Sequence, residues 1–109
     1  MTSSDGIKTQ LKIKDLCGRS TVTRQDGKKV YRVIIKHWDK VDRIEVDFGN
    51  LTIASVSFLD EAVGQLALRY TRNEFASKIK LCRITHRDKR LLNDIITSRY
   101  RQRRKKNRI

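Results

Sequence analysis

Two hydrophobic periods alternate along this chain, and each passage into the longer one opens on a hydroxyl residue three places ahead of an aspartate. These openings are Thr23-Arg24-Gln25-Asp26, Ser57-Phe58-Leu59-Asp60 and Thr85-His86-Arg87-Asp88. In such a pattern the hydroxyl accepts an unpaired N–H of a helix's first turn. The carboxylate reaches back to the capping residue and favours the positive end of the helix dipole. Behind each opening the apolar residues recur at intervals of three and four, as one helix face requires. They are Tyr31, Ile34, Ile35 and Trp38; then Leu59, Ala62, Val63, Leu66, Ala67 and Tyr70; then Leu91, Leu92, Ile95, Ile96 and Tyr100. The intervening segments have period two, the mark of half-buried strands. Ile7, Thr9, Leu11 and Ile13 alternate with Lys8, Gln10, Lys12 and Lys14, and Ile44, Val46 and Phe48 alternate with Arg43, Glu45 and Asp47. Ile79, Leu81 and Ile84 close a third run. Strands joined through helices favour parallel neighbours with right-handed crossovers. Charged residues at alternate strand positions predict a sheet with one face less covered by helix. The expectation is a small two-layer α/β domain with alternating helices and largely parallel core strands.

With 109 residues and no proline, the chain is long enough for one such domain, its helices bounded by caps and glycines. No apolar run approaches the ~18 residues of a membrane span. The first residues lack the basic and apolar regions of a secretory leader, so a cytoplasmic setting without membrane association is expected. Cys17 and Cys82 have neither CxxC spacing nor an adjacent histidine. They read as reduced, buried thiols. The formal charge of +14 is extreme for this size and favours acidic partners. Half of it falls in Arg99, Arg101, Arg103, Arg104, Lys105, Lys106 and Arg108, a stretch with no acid. The body would then span residues 7–98, with 99–109 a basic extension.

The central segment Ile44-Glu45-Val46-Asp47-Phe48-Gly49-Asn50-Leu51, followed by Ile53 and Ser55-Val56-Ser57-Phe58-Leu59-Asp60-Glu61, resembles the STAS-like family of uncharacterised prokaryotic proteins. Thr23-Arg24-Gln25-Asp26-Gly27 is similar to an upstream element of that family. The likeness covers about Gln10 to Ile96 and implies a STAS-like fold. More distantly the chain is similar to the anti-sigma-factor antagonists, whose Asp-Ser-Ser/Thr-Gly-Leu loop is phosphorylated on its first serine by a kinase of the histidine-kinase-type ATPase fold. That similarity places Ser55 at the phosphoacceptor. Ala54 stands where the aspartate would be and Ser57 where the glycine would be.

Gly49-Asn50 interrupts the second strand, and the strand-to-helix loop after it lies where open α/β sheets present their functional edge. Helix starts there offer backbone N–H groups to an anion. Ser55 and Ser57 are the candidate phosphoacceptors, Ser57 being also the expected N-cap. Phe58, Asp60 and Glu61 are the candidate docking residues. Asp60 and Glu61 point about 100° apart on a helix and cannot flank one substrate atom. His37 and His86 have no nucleophile beside them, and no metal-ligand cluster, phosphate loop or nucleophile elbow is present. The chain therefore reads as a non-enzymatic regulatory module without cofactor, docking a protein partner, such as an ATPase-fold kinase, through residues 54–61. The alternative is a nucleic-acid-binding protein whose seven tail cations meet phosphates, with a log K against log salt slope of about −6.

Overall fold

The computed structural model describes residues 6–53 and 55–106. Its elements run β1 (Lys8–Lys12), α1 (Ile13–Cys17), β2 (Thr21–Val22), α2 (Arg24–Trp38), β3 (Arg43–Asp47), β4 (Thr52–Ile53) and α3 (Val56–Leu59), then a π-helical turn (Asp60–Gly64). They continue with α4 (Leu66–Arg69), α5 (Arg72–Lys78), β5 (Ile79–Cys82) and α6 (His86–Lys106). The main sheet has the order β1-β3-β5 and is parallel throughout. A second, two-residue parallel pairing joins β2 to β4. This is the expected α/β architecture with parallel core strands.

Register sorts the sheet into two chemically different faces. Thr9, Ile44 and Ile79 align, as do Leu11, Val46 and Leu81, and these turn toward the core. On the other face lie Lys8, Gln10 and Lys12, then Arg43, Glu45 and Asp47, then Lys80 and Cys82. A strand alternates faces residue by residue, so the charged positions seen in the sequence all fall on one side. The helices cover the other. α2 contributes Val30, Ile34 and Trp38, the stretch from α3 through α4 contributes Phe58, Leu59, Ala62, Val63 and Leu66, and α6 contributes Leu92.

α3, the π-helical turn and α4 form one rod between α2 and α6. The wider turn is closed by Gln65 N–H donating to the Asp60 carbonyl five residues back, at 2.9 Å. Gly27 lets α2 approach this rod. A Cβ there would lie 2.7 Å from the Phe58 carbonyl oxygen and 2.9 Å from Glu61 Cβ. At the far end of the contact Trp38 stacks on Tyr70, with ring centroids 3.7 Å apart and planes 3° from parallel.

Two of the three expected caps form at the expected residue. Asp26 accepts the Thr23 backbone N–H at 2.9 Å, and Thr85 Oγ1 accepts the Asp88 N–H at 3.1 Å. The third is displaced. Ser55, with extended backbone, caps α3, and its Oγ accepts the Ser57 N–H at 3.2 Å. Ser57 therefore lies inside the helix, and the Asp60 carboxylate is engaged with Arg99. Further elements go beyond the six expected. Ile13 leaves the first strand to begin α1, and α5 starts at a capping box of Thr71 and Glu74, whose reciprocal bonds are 3.1 and 2.7 Å. Cys17 is buried and Cys82 half-buried, both as free thiols pushed above the usual thiol range chiefly by burial. No helix among the described residues is long and apolar enough to cross a membrane.

Candidate docking site

The loop from β3 to α3 leaves the C-terminal edge of the sheet, and its first residues are fixed by a buried carboxylate. Asp47 is 2% exposed. It accepts from Arg83 Nε at 2.9 Å and Arg83 Nη2 at 2.7 Å, and from the Gly49 N–H at 2.8 Å. The Arg83 hydrogen bonds, aided by the Gly49 N–H, hold its carboxyl below the usual range despite burial. A Cβ on residue 49 would fall 2.3 Å from the Arg83 guanidinium carbon, so a larger residue there would push the guanidinium out of this pairing. Asn50 and Arg83 both have positive φ, 58° and 54°. A non-glycine residue rarely adopts that conformation, and here the Asp47–Arg83 pair holds Arg83 in it. This clip joins the ends of β3 and β5. Asp47 is thereby committed within the fold.

Beyond Asn50 the chain reaches the corner Ser55-Val56-Ser57. The Ser55 and Ser57 hydroxyls are 2.6 Å apart, and Val56 is 51% exposed. Two grooves flank the corner, and α6 contributes to both. One, of about 470 Å³, is lined by Leu51, Ile53, Ser55 and Val56 together with Arg87 and Leu91. The other, of about 500 Å³, is lined by Val56, Ser57, Asp60, Ile95, Ser98 and Arg99. Val56 belongs to both. Ser55 is exposed at the start of the rod, with Arg87 lining its groove.

The other candidate docking residues are occupied. Phe58 is fully buried in the core, so it cannot meet a partner. It lies in the first turn of α3, which packs against α2, so the start of the helix turns it into the core rather than outward. Asp60 receives both Nε and Nη2 of Arg99, the Nε contact at 2.9 Å, and also Gln65 Nε2. These bonds raise the Arg99 guanidinium still further above its already high value. Glu61 accepts from Arg24 Nε at 3.0 Å, bridging the rod to α2. Both carboxylates therefore help fix the rod in place.

The basic extension divides in the same manner. α6 continues across residue 98 to Lys106. Arg99 is held by Asp60, and Arg103 Nη1 donates to the Tyr70 carbonyl at 2.7 Å. Tyr100 is buried beneath the Arg72 guanidinium, 4.6 Å from its ring centre. Arg99 and Arg103 are thus tied to the body rather than free for nucleic acid, whereas Arg101 is exposed. Arg104, Lys105 and Lys106 are in α6, while their side chains and Arg108 lie outside what is described. Among the described residues no cluster of His, Cys, Asp or Glu could hold a metal.

One further signal, also present in the sequence, lies on α2. Arg24, Lys28, Arg32 and Lys36 recur at every fourth residue, with Lys40 continuing the spacing beyond the helix.

Residues 26–89 match the family model described as a STAS-like domain of unknown function (DUF4325). The matched segment runs from the first turn of α2 into the first turn of α6 and contains the corner. It is narrower than the likeness read from the sequence. No curated protein and no solved structure matches the chain.

Proposed function

This chain belongs to the STAS-like family, and from that premise we propose that it is a non-enzymatic regulatory module that docks a protein partner through Ser55, Val56 and Ser57. Family membership by itself points to a regulatory or interaction module. The observation supporting this particular surface is the exposed Val56 between two grooves, with an accessible serine on either side of it. An apolar anchor seated beside clefts is the usual centre of a binding patch, while buried or ion-paired neighbours hold it rigid.

Ser55 is the proposed phosphoacceptor. Phosphorylation there would place up to two negative charges at the positive end of the rod, beside the groove that Arg87 lines. The same phosphate would alter the cap that now receives the Ser57 N–H, so modification and docking would act on one corner. The proposed kinase partner has the histidine-kinase-type ATPase fold. The test is incubation of the full chain with such a kinase and labelled ATP. Label is expected on Ser55, lost in Ser55→Ala and retained in Ser57→Ala. Val56→Asp is expected to weaken kinase binding at least tenfold with the melting curve unchanged. Label that survives Ser55→Ala removes the assignment.

A second reading is nucleic-acid contact through the tail, supported by the exposure of Arg101. It has five cations to draw on, since Arg99 and Arg103 are bonded within the fold. Truncation after residue 103 separates the two readings, because docking at the corner survives it.

A further inference from the structure

α2 carries an excess of positive charge that has no part in the docking corner. Its fifteen residues carry five Arg and Lys side chains and one acid, Asp26. Asp26 is buried and bonded to Arg19 and Thr23. Burial pushes its carboxyl up, but the Thr23 N–H, Arg19 and the Thr23 hydroxyl together bring it below its ordinary range. It is therefore an ion already satisfied on the inner side.

On the outer side Arg24, Lys28, Arg32 and Lys36 stand one above another at steps of four residues, about 6 Å apart along the axis. Lys29 lies on the same arc, since residues 28, 29, 32 and 36 fall within about 100° of one another at 100° per residue. Like charges at this spacing repel and weaken the helix that carries them. Cations in the first turns also oppose the helix dipole. Arg24 is relieved by Glu61. Among the described residues, Lys28, Lys29, Arg32 and Lys36 form no ion pair that would relieve the rest.

We infer that this face of α2 is a binding surface for the phosphate backbone of nucleic acid, separate from both the docking corner and the tail. A row of like charges that weakens its own helix gains most from a ligand with regularly repeated opposite charge. A nucleic-acid duplex presents one phosphate charge per ~1.7 Å of axis. A membrane surface fits poorly, because interfacial binding needs an apolar helix face to insert, and the α2 apolar face is buried as Val30, Ile34 and Trp38. An acidic protein fits less well than nucleic acid. Protein interfaces deplete charge at their centres and seat apolar or aromatic anchors there, whereas nucleic-acid interfaces are strongly positive. The arc from Arg24 to Lys29 also holds Gln25, Lys28, Arg32 and Lys36, and its one apolar residue, Ile35, is half-buried against the core and offers no such anchor. No base-reading group is assigned, so binding is expected to be independent of sequence.

The experiment is fluorescence anisotropy of the full chain with a fluorescein-labelled duplex of about 20 base pairs, a length that exceeds the roughly 22 Å of α2, over a series of salt concentrations. Arg32→Gln with Lys36→Gln removes two phosphate contacts. The log K against log salt slope is expected to become shallower by about 1.8, and affinity at 0.1 M salt to fall roughly sixty-fold. A control, Lys8→Gln with Lys80→Gln, removes the same charge from the open sheet face and is expected to keep the wild-type slope. The control's melting curve is expected to match the parent, and that of the α2 variant to match or slightly exceed it, because all four side chains are exposed and the α2 pair relieves like-charge repulsion. Equal losses in the two variants would reduce the effect to net charge and overturn the inference. So would an unchanged slope in the α2 variant, no duplex binding by the parent, or tighter binding to polyglutamate than to the duplex.

Discussion

Gly27→Ala sets local helix preference against tertiary fit, and the two predict opposite signs. In the interior of α2 an alanine is worth about 1 kcal/mol over glycine. Residue 27 is buried, however, and its new methyl would stand 2.7 Å from the Phe58 carbonyl oxygen, 2.9 Å from Glu61 Cβ and 3.2 Å from the Ala62 nitrogen. Two of these atoms are backbone, so no rotamer change relieves the clash. Reaching an ordinary contact near 3.4 Å requires the rod to move away from α2. That opens the contacts of Phe58, Leu59, Ala62 and Val63, all fully buried. Overpacking costs roughly 1–3 kcal/mol, and a gap of 0.5–1 Å forfeits a quarter to a half of each affected dispersion contact. The rigid neighbour places the cost at the upper end, and subtracting the helix gain leaves a net loss of about 2 kcal/mol. At this chain length the melting temperature should fall by roughly 10 °C. Trp38, the single tryptophan, is buried and stacked on Tyr70, so its fluorescence reports unfolding in urea. A midpoint equal to or above the parent's would refute the close approach of α2 and the rod.

Phe58→Ala should unfold the domain rather than weaken docking, costing about 3–5 kcal/mol as a buried aromatic truncation, read by the same urea titration. Arg99→Ala removes both guanidinium bonds to Asp60; this partly exposed pair should cost about 1 kcal/mol, with faster amide exchange in the last turns of α6 while the first turns stay protected. Asp47 and Asp26 are both held below the ordinary carboxylate value of about 3.9. Their stabilisation is therefore complete above that value and is lost as pH falls through their lower folded values. The urea midpoint should be flat from pH 7 to 5 and decline below pH 4, less steeply in Asp47→Asn; a decline that begins at pH 6 would point to other groups.

The parts of this protein legible in the sequence were those encoded by neighbours in the chain. Thr23 and Asp26 cap α2 because hydroxyl and carboxylate lie within one turn, and the two periods placed the main strands and helices. Thr71-Arg72-Asn73-Glu74 carried the same signal with glutamate in place of aspartate, and it opens α5. The four-residue spacing of cations on α2 was equally open to reading. β2 and β4 were not, since two residues define no period. The start of α3 shows where local signals run out. Ser55 and Ser57 are both good caps, and Asp60 favoured Ser57, but Asp60 is claimed by Arg99, thirty-nine residues away.

The sequence by itself thus determined the order of the main strands and helices, the charge of each face and the family. Only the tertiary structure decided which side chains remained free. Asp47 went to Arg83, Asp60 to Arg99, Glu61 to Arg24 and Phe58 to the core, leaving Ser55 and Val56 exposed and Ser57 half-buried beside them. The physical reason is range: capping and periodicity act within a turn or two, whereas ion pairing and burial depend on which distant segments the fold brings together.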